Sequence, residues 1–211
     1  MIESAAKIAA VILADPRVGP LGLPATCDAP FAGTTVLGAA LRRLSRCRRV
    51  DAIVIAHPRG ESPVIPTADE LGKPMTLHPV DGPLYDAGHE RWAAARKWHP
   101  VGWRGGPGGA TCYDECFSAP VMAAAVRAVG ASAALIVGPD WPLVDPELCD
   151  AVIERHLDAP QGLRFTFTQA PPGLCGALVD GGLLADLAEK HLSFASLLAY
   201  RIDLPQGDPI G

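Results

Sequence analysis

A short apolar run in the second half of the chain, Ala133 to Val137, constrains the fold more than any other feature. Five consecutive apolar residues followed by Gly138 and Pro139 are typical of a strand buried on both faces of a parallel sheet. Asp140 follows directly, and open α/β sheets bind ligands in the crevice at the carboxyl ends of their strands. The pattern therefore predicts a central strand that delivers an aspartate to a binding crevice, where a carboxylate suits a metal-bound phosphate.

The residues after Asp140 predict a helix with a defined start. Asp145 has the short side-chain oxygen that favours the N-cap position, and Pro146 is pre-organised for the first helical position. Glu147 places a negative charge in the first turn, where the helix dipole favours it. The loop thus contains two aspartates, and a structural role is predicted only for Asp145.

The rest of the chain alternates between strand-like and helix-like segments. Largely apolar segments predict further strands at residues 7–14, 51–56, 74–78 and 174–179, and the alternating residues 163–168 predict a half-exposed strand that is antiparallel or near an edge. Thr34 or Thr35 is expected to cap a helix that runs to about Cys47. Helical patterns also occur at residues 67–71, 84–98, 118–130, 146–157, 183–191 and 193–200. This order predicts a three-layer α/β fold: a mainly parallel central sheet, helices on both faces and a late antiparallel or edge strand.

Length and charge exclude several classes of protein. The chain has 211 residues, 49% of them hydrophobic, which is enough for one sizeable core. We expect one domain over residues 1–202 and a linker-like tail over residues 203–211 that leads to a fused C-terminal domain. The net charge of -5 argues against nucleic-acid binding, which depends on neutralising phosphates.

Apolar runs and cysteines bear on where the protein works. No apolar run approaches the roughly 20 residues that span a bilayer, so no membrane partner is expected. Six cysteines are too sparse for a disulfide scaffold in a chain of this length and predict reduced thiols in a cytoplasmic protein. Cys112 to Cys116 also contains Asp114 and Glu115, but zinc would need further ligands at the right spacing. We expect these carboxylates to lead into the next helix or to face the cleft.

Two loops rich in glycine or proline are candidates for ligand contacts. Residues 15–33 follow the first strand, contain Arg17 as their only cation and form a long loop of the kind that is usually functional. They contain neither a dinucleotide-binding fingerprint nor a P-loop. Residues 102–109 include Gly105 and Gly106; such a stretch approaches a ligand closely, moves as a lid or is a plain surface loop.

Three stretches resemble one family of enzymes. The segment Asp140-x-Pro142-x-x-Asp145-Pro146-Glu147 is similar to the D-C-P-L-x-D-P-E motif of the cytidylyltransferase group that includes spore-coat polysaccharide biosynthesis proteins. Leu23-Pro24, in the loop after strand one, and Pro172-Gly173-Leu174, before a late strand, resemble the same family. These enzymes are nucleotidyltransferases of the glycosyltransferase A type fold. The resemblance covers about residues 7–190 and implies a nucleotide-diphospho-sugar transferase-like fold.

The resemblance also implies a site. The first loop would wrap a nucleotide, with Arg17, Leu23 and Pro24 as contacts, and Asp140 would bind magnesium. We add Gly105 and Gly106 of the glycine-rich loop as nucleotide contacts.

The chain departs from the family pattern at two places. The lysine expected after Leu-Pro is replaced by Ala25, Thr26 and Cys27, and the late carboxylate would fall near Cys175 or Ala177. Loss of one group that neutralises phosphate charge commonly lowers a rate by roughly a hundredfold or more.

Three functional hypotheses follow. The first is a nucleotidyltransferase-like domain that binds a nucleoside triphosphate or nucleotide-sugar with magnesium and joins a nucleotide to a sugar or sugar acid. The second, motivated by the two departures, is a degenerate non-catalytic binding or interaction module of a larger enzyme. The third is a glycosyltransferase that uses a nucleotide-sugar donor.

Overall fold

The computed structural model describes residues 6–20, 23–85 and 113–194. Several sequence predictions lie outside these ranges and stay predictions. They are Gly105 and Gly106, Cys112, most of the helices at residues 84–98 and 193–200, and the tail at residues 203–211.

A six-stranded sheet forms the centre of the described structure. Four of its strands are parallel to one another: β1 (Ile8–Leu13), β4 (Ala52–Pro58), β5 (Met75–Val80) and β6 (Ala133–Val137). β8 (Ala177–Asp180) lies antiparallel beside β6, and β7 (Phe165–Thr166) pairs with β8 at the sheet edge. The strand order is β5-β4-β1-β6-β8-β7. The predicted parallel sheet with late antiparallel and edge strands is confirmed.

The sequence patterns explain which strands are central. Every residue of β1, β4 and β6 is buried, as expected for continuous apolar runs covered on both faces. The last two strands are shorter than predicted. β7 has two residues, and β8 begins at Ala177. The Leu174 N–H donates to the Pro171 carbonyl in a turn, so the first residue of the predicted strand belongs to that turn. A small separate hairpin, β2 (Pro30–Phe31) with β3 (Thr34–Thr35), was not predicted.

Helices cover both faces of the sheet. The α1 helix (Val36–Leu44) and the α4 helix (Pro146–Asp158) pack on one face, with the short α2 (Ala68–Leu71) at its margin. The α3 helix (Ala119–Ala128) and the α5 helix (Gly181–Lys190) pack on the other face. The predicted three-layer arrangement is therefore confirmed. None of the helices within the described ranges is long and apolar enough to cross a membrane.

Candidate functional site

The candidate site lies at the carboxyl edge of the sheet, where two neighbouring strands end. β1 and β6 are paired, with Ile12 opposite Val137, so the loops that follow them emerge side by side. Because β8 runs antiparallel to β6, the turn that precedes β8 reaches the same edge. A cleft of about 310 Å³ opens there. Its described lining residues are Glu115, Asp140, Trp141, Pro142, Leu143, Pro172, Gly173 and Leu174.

The loop of residues 138–145, which we call the Asp140 loop, is held in place by backbone hydrogen bonds. The Asp145 N–H donates to the Leu174 carbonyl at 2.6 Å, which ties the loop to the turn before β8. Arg43, on α1, donates from Nε to the Val144 carbonyl at 2.6 Å. Within the loop, the Val144 N–H donates to the Trp141 carbonyl at 3.3 Å. These bonds hold the part of the loop that follows Asp140.

Asp145 is the N-cap of α4, as predicted. Its Oδ1 accepts hydrogen bonds from the Glu147 N–H at 2.8 Å and the Leu148 N–H at 3.1 Å. These two donors belong to the first turn of the helix, where no backbone partner exists. The carboxylate of Asp145 therefore has a structural role.

Asp140 differs from Asp145 because its carboxylate has no such partner. The residue is exposed, and none of the residues the structure describes forms an ion pair with it. Protein atoms around the carboxyl group exclude water from it, and this desolvation raises the pKa of Asp140 above the ordinary value of 3.8. A hydrogen bond with its own backbone acts in the opposite direction. An unpaired carboxylate at a strand end, in surroundings that disfavour its charge, is suited to a bound cation.

Arg17 lies in the other loop and already has a partner. Its Nε and Nη2 donate to the two carboxylate oxygens of Asp15 at 3.0 and 2.9 Å, and its backbone N–H donates to the same carboxylate at 2.9 Å. Burial alone would raise the pKa of Asp15, but the hydrogen bonds and charge of Arg17 hold it below its ordinary value. The Arg17 side chain remains 56% exposed. The remaining Nη1 group is the part of this cation that is open to an anion.

Leu23 and Pro24 belong to a tight fold of the same loop. The Gly19 N–H donates to the Leu23 carbonyl at 2.8 Å, and Val18 pairs with Pro24 as an isolated antiparallel bridge. A side chain at Gly19 would place its Cβ 2.9 Å from the Pro24 carbonyl oxygen, so this closure requires glycine. Leu23 is 55% exposed and is available for contact. Its predicted role at a nucleotide stays a prediction.

The two positions considered for a second carboxylate are both part of the core. Cys175 is 3% exposed and Ala177 is fully buried. Within residues 6–20, 23–85 and 113–194, no group of three histidine, cysteine or acidic residues is arranged to hold a metal. Magnesium usually takes one or two protein carboxylates and completes its coordination with water and substrate phosphates. Asp140 fits the protein part of that donor set when a phosphate supplies the rest.

Glu115 is the second acidic residue of the cleft. It lines the same cavity as Asp140, which agrees with the prediction that this segment faces the cleft. Its neighbour Asp114 is buried and accepts a hydrogen bond from the Phe194 N–H at 2.7 Å, so Asp114 supports the packing of the chain. Adjacent residues of one short 3-10 turn (Asp114–Cys116) therefore have different roles.

Tyr85 is a residue that the sequence analysis did not single out. Its hydroxyl lies 3.3 Å from the Leu13 carbonyl, at the end of β1. Burial first, and then nearby acidic groups that include Asp140 and Asp15, raise the pKa of the tyrosine. The hydroxyl therefore stays protonated beside both aspartates. No local pattern predicts this position, because it depends on how the chain after β5 returns across the sheet.

Comparison with known proteins gives matches of two kinds. No family model matches the chain. The spore coat polysaccharide biosynthesis protein SpsF of Bacillus subtilis (strain 168) is 41% identical over 64 residues, which is 30% of this chain and 26% of that protein. The chain thus matches about a quarter of the length of this curated relative.

Solved structures match over most of the chain. A cytidylyltransferase from Leptospira borgpetersenii serovar Hardjo-bovis (strain JB197) has a TM-score of 0.58 at 15% identity, covering 92% of this chain and 68% of its own. A CMP:2-keto-3-deoxy-manno-octonic acid synthetase complexed with CTP has a TM-score of 0.52 at 10% identity, covering 90% and 80%. A 4-diphosphocytidyl-2C-methyl-D-erythritol synthase has a TM-score of 0.51 at 13% identity, covering 92% and 83%. The fold is that of cytidylyltransferases, and the resemblance seen in the sequence is confirmed at this level.

Proposed function

We propose that this chain is a nucleotidyltransferase domain that binds a nucleoside triphosphate, with CTP as the first candidate, and transfers its nucleotidyl group to a sugar-type acceptor. The observation that carries the proposal is the Asp140 carboxylate at the carboxyl end of β6, which pairs with no described residue, in a fold shared with three cytidylyltransferases. CTP is named first because one of these similar structures contains it.

In the proposed reaction, an acceptor oxygen attacks the α-phosphorus in line with the leaving group. A new oxygen–phosphorus bond forms, the bond to the bridging oxygen breaks, pyrophosphate leaves and the acceptor proton passes to water. Asp140 would hold a magnesium ion together with the phosphates, and that ion would supply charge neutralisation at the reacting phosphate. The bonds from Arg43 and Leu174 keep the Asp140 loop in position, so little reorganisation accompanies the reaction.

Arg17 would contribute less charge than an unpaired arginine. Its Nε and Nη2 are bound to Asp15, so a phosphate would contact Nη1. The negative charge of Asp15 also offsets part of the positive charge that a triphosphate meets. The proposed reaction therefore depends mainly on Asp140 and on the groups that accompany the substrate.

A non-catalytic binding module is the second candidate, and a specific observation favours it. Neither Cys175 nor Ala177 carries a carboxylate, and both are buried, so neither position completes a magnesium site with Asp140. A chain of this kind would bind a nucleotide without transferring it.

Calorimetric titration of the full chain with CTP, UTP, GTP and ATP tests the proposal. We expect binding of CTP with magnesium and its loss with EDTA or in Asp140→Asn. Failure of all four nucleotides to bind to folded protein would overturn it. Pyrophosphate release with a sugar acceptor would exclude the non-catalytic binding module. Turnover of a nucleotide-sugar donor would instead identify a glycosyltransferase.

A further inference from the structure

Trp141 is the one aromatic side chain among the described residues that line the Asp140 cleft. It occupies the second position of the acidic segment, where the family motif given above has cysteine. An indole ring therefore lines the cleft directly after Asp140 in the chain.

Gly138 makes room for this side chain, and Gly173 lies in contact with it. A Cβ at Gly138 would lie 2.5 Å from the Trp141 Nε1 and 2.7 Å from its Cε2, so any side chain there would displace the ring. A Cβ at Gly173, where φ is +87°, would lie 3.7 Å from Cγ and Cδ1 of the same ring. The five-membered ring of the indole therefore rests against the backbone of both strand-end turns.

Aromatic packing fixes the indole from behind. The buried Tyr113 ring meets Trp141 edge-on, with centroids 6.2 Å apart and planes at 66°. Tyr113 in turn contacts Phe165 and Phe167, at 6.4 and 6.1 Å. Trp141 is half-buried, so part of the ring packs on the protein and part lines the cleft. A surface fixed in this way loses little side-chain entropy when a ligand stacks on it.

The other described residues of the cleft indicate which ligand would fit. Pro142, Leu143, Pro172 and Leu174 are apolar, and Leu143 is 55% exposed. Asp140 forms no ion pair with any described residue, so it gives the described lining of the cleft an uncompensated negative charge. Such walls suit a ligand with an apolar face and with hydroxyl or amino donors around its edge, while a carboxylate on the ligand would be repelled.

We infer that Trp141 is the floor of an acceptor subsite that stacks the C–H face of a pyranose ring bearing hydroxyl or amino groups rather than a carboxylate. The inference rests on the proposed function for the identification of this ring as the acceptor. It narrows that function from sugars in general to neutral and amino sugars.

The test uses three probes that share one ring: methyl β-glucoside, glucosamine and glucuronic acid. Each is titrated into the full chain by saturation-transfer NMR, with and without CTP and magnesium. We expect binding of the first two, with strongest saturation at the axial protons of one ring face, and at least roughly tenfold weaker binding of glucuronic acid.

Variants locate the binding. Trp141→Ala should weaken binding of methyl β-glucoside roughly tenfold, whereas Trp141→Phe should retain most of it. Val64→Ala, at a side chain that is 61% exposed and outside the cleft lining, is the matched control for a surface truncation. Thermal unfolding of each variant, followed by circular dichroism, separates loss of binding from loss of fold.

Each outcome decides the inference independently of the proposed function. If no probe binds, if binding survives in a folded Trp141→Ala protein, or if glucuronic acid binds as tightly as the glucoside, the inference is wrong. If the probes bind as expected but no nucleotide binds, the pyranose subsite stands and the proposed function fails. If CTP binds but the pyranoses do not, the pyranose subsite is wrong and nucleotide binding by the proposed function stands.

Discussion

The two loops that follow β1 and β6 start side by side, and each contains an aspartate near the strand end. The two aspartates differ in whether a neighbouring residue binds the carboxylate. After β1, Asp15 is 5% exposed and is bound by the backbone and side chain of Arg17. After β6, Asp140 is exposed, and no described residue pairs with it. The first carboxylate is bound within its own loop, while the second belongs to a loop that is tied to the turn before β8 and to α1 by backbone hydrogen bonds. An acidic residue at a strand end is a candidate ligand when the described structure gives its carboxylate no partner.

The largest difference is expected from Asp140→Asn. An amide has no charge to offer a metal-bound phosphate, so the affinity for CTP with magnesium should fall by roughly a hundredfold. The free energy of unfolding at neutral pH should stay the same or increase, because the raised pKa shows that the ionised carboxylate is disfavoured in the fold. Calorimetry and urea denaturation measure the two effects.

The matched control is Asp145→Asn, five positions along the same loop. Asparagine is as good an N-cap as aspartate, so neither CTP affinity nor stability should change much. Equal loss of CTP affinity in both variants would contradict the assignment of the two aspartates.

Asp15→Asn should act on stability. The amide leaves the Arg17 fork without a carboxylate, and we expect a loss of about 1 to 2 kcal/mol in the free energy of unfolding at neutral pH. Because the folded pKa of Asp15 lies below 3.8, its stabilisation is present above that value and disappears as the pH falls through the folded pKa.

Urea denaturation at neutral pH and at a pH below 3.8 checks this prediction. The difference between variant and wild type should shrink in acid. A difference that persists unchanged at low pH would show that Asp15 stabilises the loop by packing rather than by its charge.

Arg17→Ala should have a smaller effect on ligand binding. If Nη1 contacts a phosphate, CTP affinity falls roughly tenfold, and Arg17→Lys recovers part of it because lysine keeps the charge but not the fork. Calorimetry in low and moderate salt measures this effect. Unchanged CTP affinity in Arg17→Ala would restrict Arg17 to its bond with Asp15.

The smallest effect concerns the protonation of the two aspartates. In a carboxyl-carbon NMR titration, Asp140 should titrate above 3.8 and Asp15 below it. A raised folded pKa means that the Asp140 charge costs stability above that pKa and that this cost disappears as the pH falls through it. Magnesium with CTP should lower the pKa of Asp140 and leave that of Asp15 nearly unchanged. The reverse order of titration would contradict the comparison.

Features that depend only on residues close together in the sequence were predictable. The apolar run at residues 133–137 is β6, and Asp145 caps α4, because burial on both faces and the capping of a first turn depend on neighbours in the chain. The hairpin of β2 and β3 escaped prediction. Each of its strands has only two residues, which is too short for a periodic pattern.

The candidate site was predictable only in part. Asp140 was identified because it follows a strand, but the pairing of Arg17 with Asp15 was not, since a charged pair two residues apart forms only in one loop conformation. Tyr85, whose hydroxyl lies near the Leu13 carbonyl, and Glu115, which lines the cleft, come from parts of the sequence distant from Asp140. The predicted contacts Gly105 and Gly106 lie outside the described residues and stay predictions.

The sequence by itself determined the order of strands and helices, the start of α4 and the place of an aspartate at the carboxyl edge, because these depend on local periodicity and capping. The tertiary structure decided which aspartate is unpaired and which residues share its cleft. It also placed Gly173 and Tyr113 around Trp141, since that environment comes from three separate segments of the chain. Local chemistry therefore located the candidate site, and long-range packing determined which described side chains surround it.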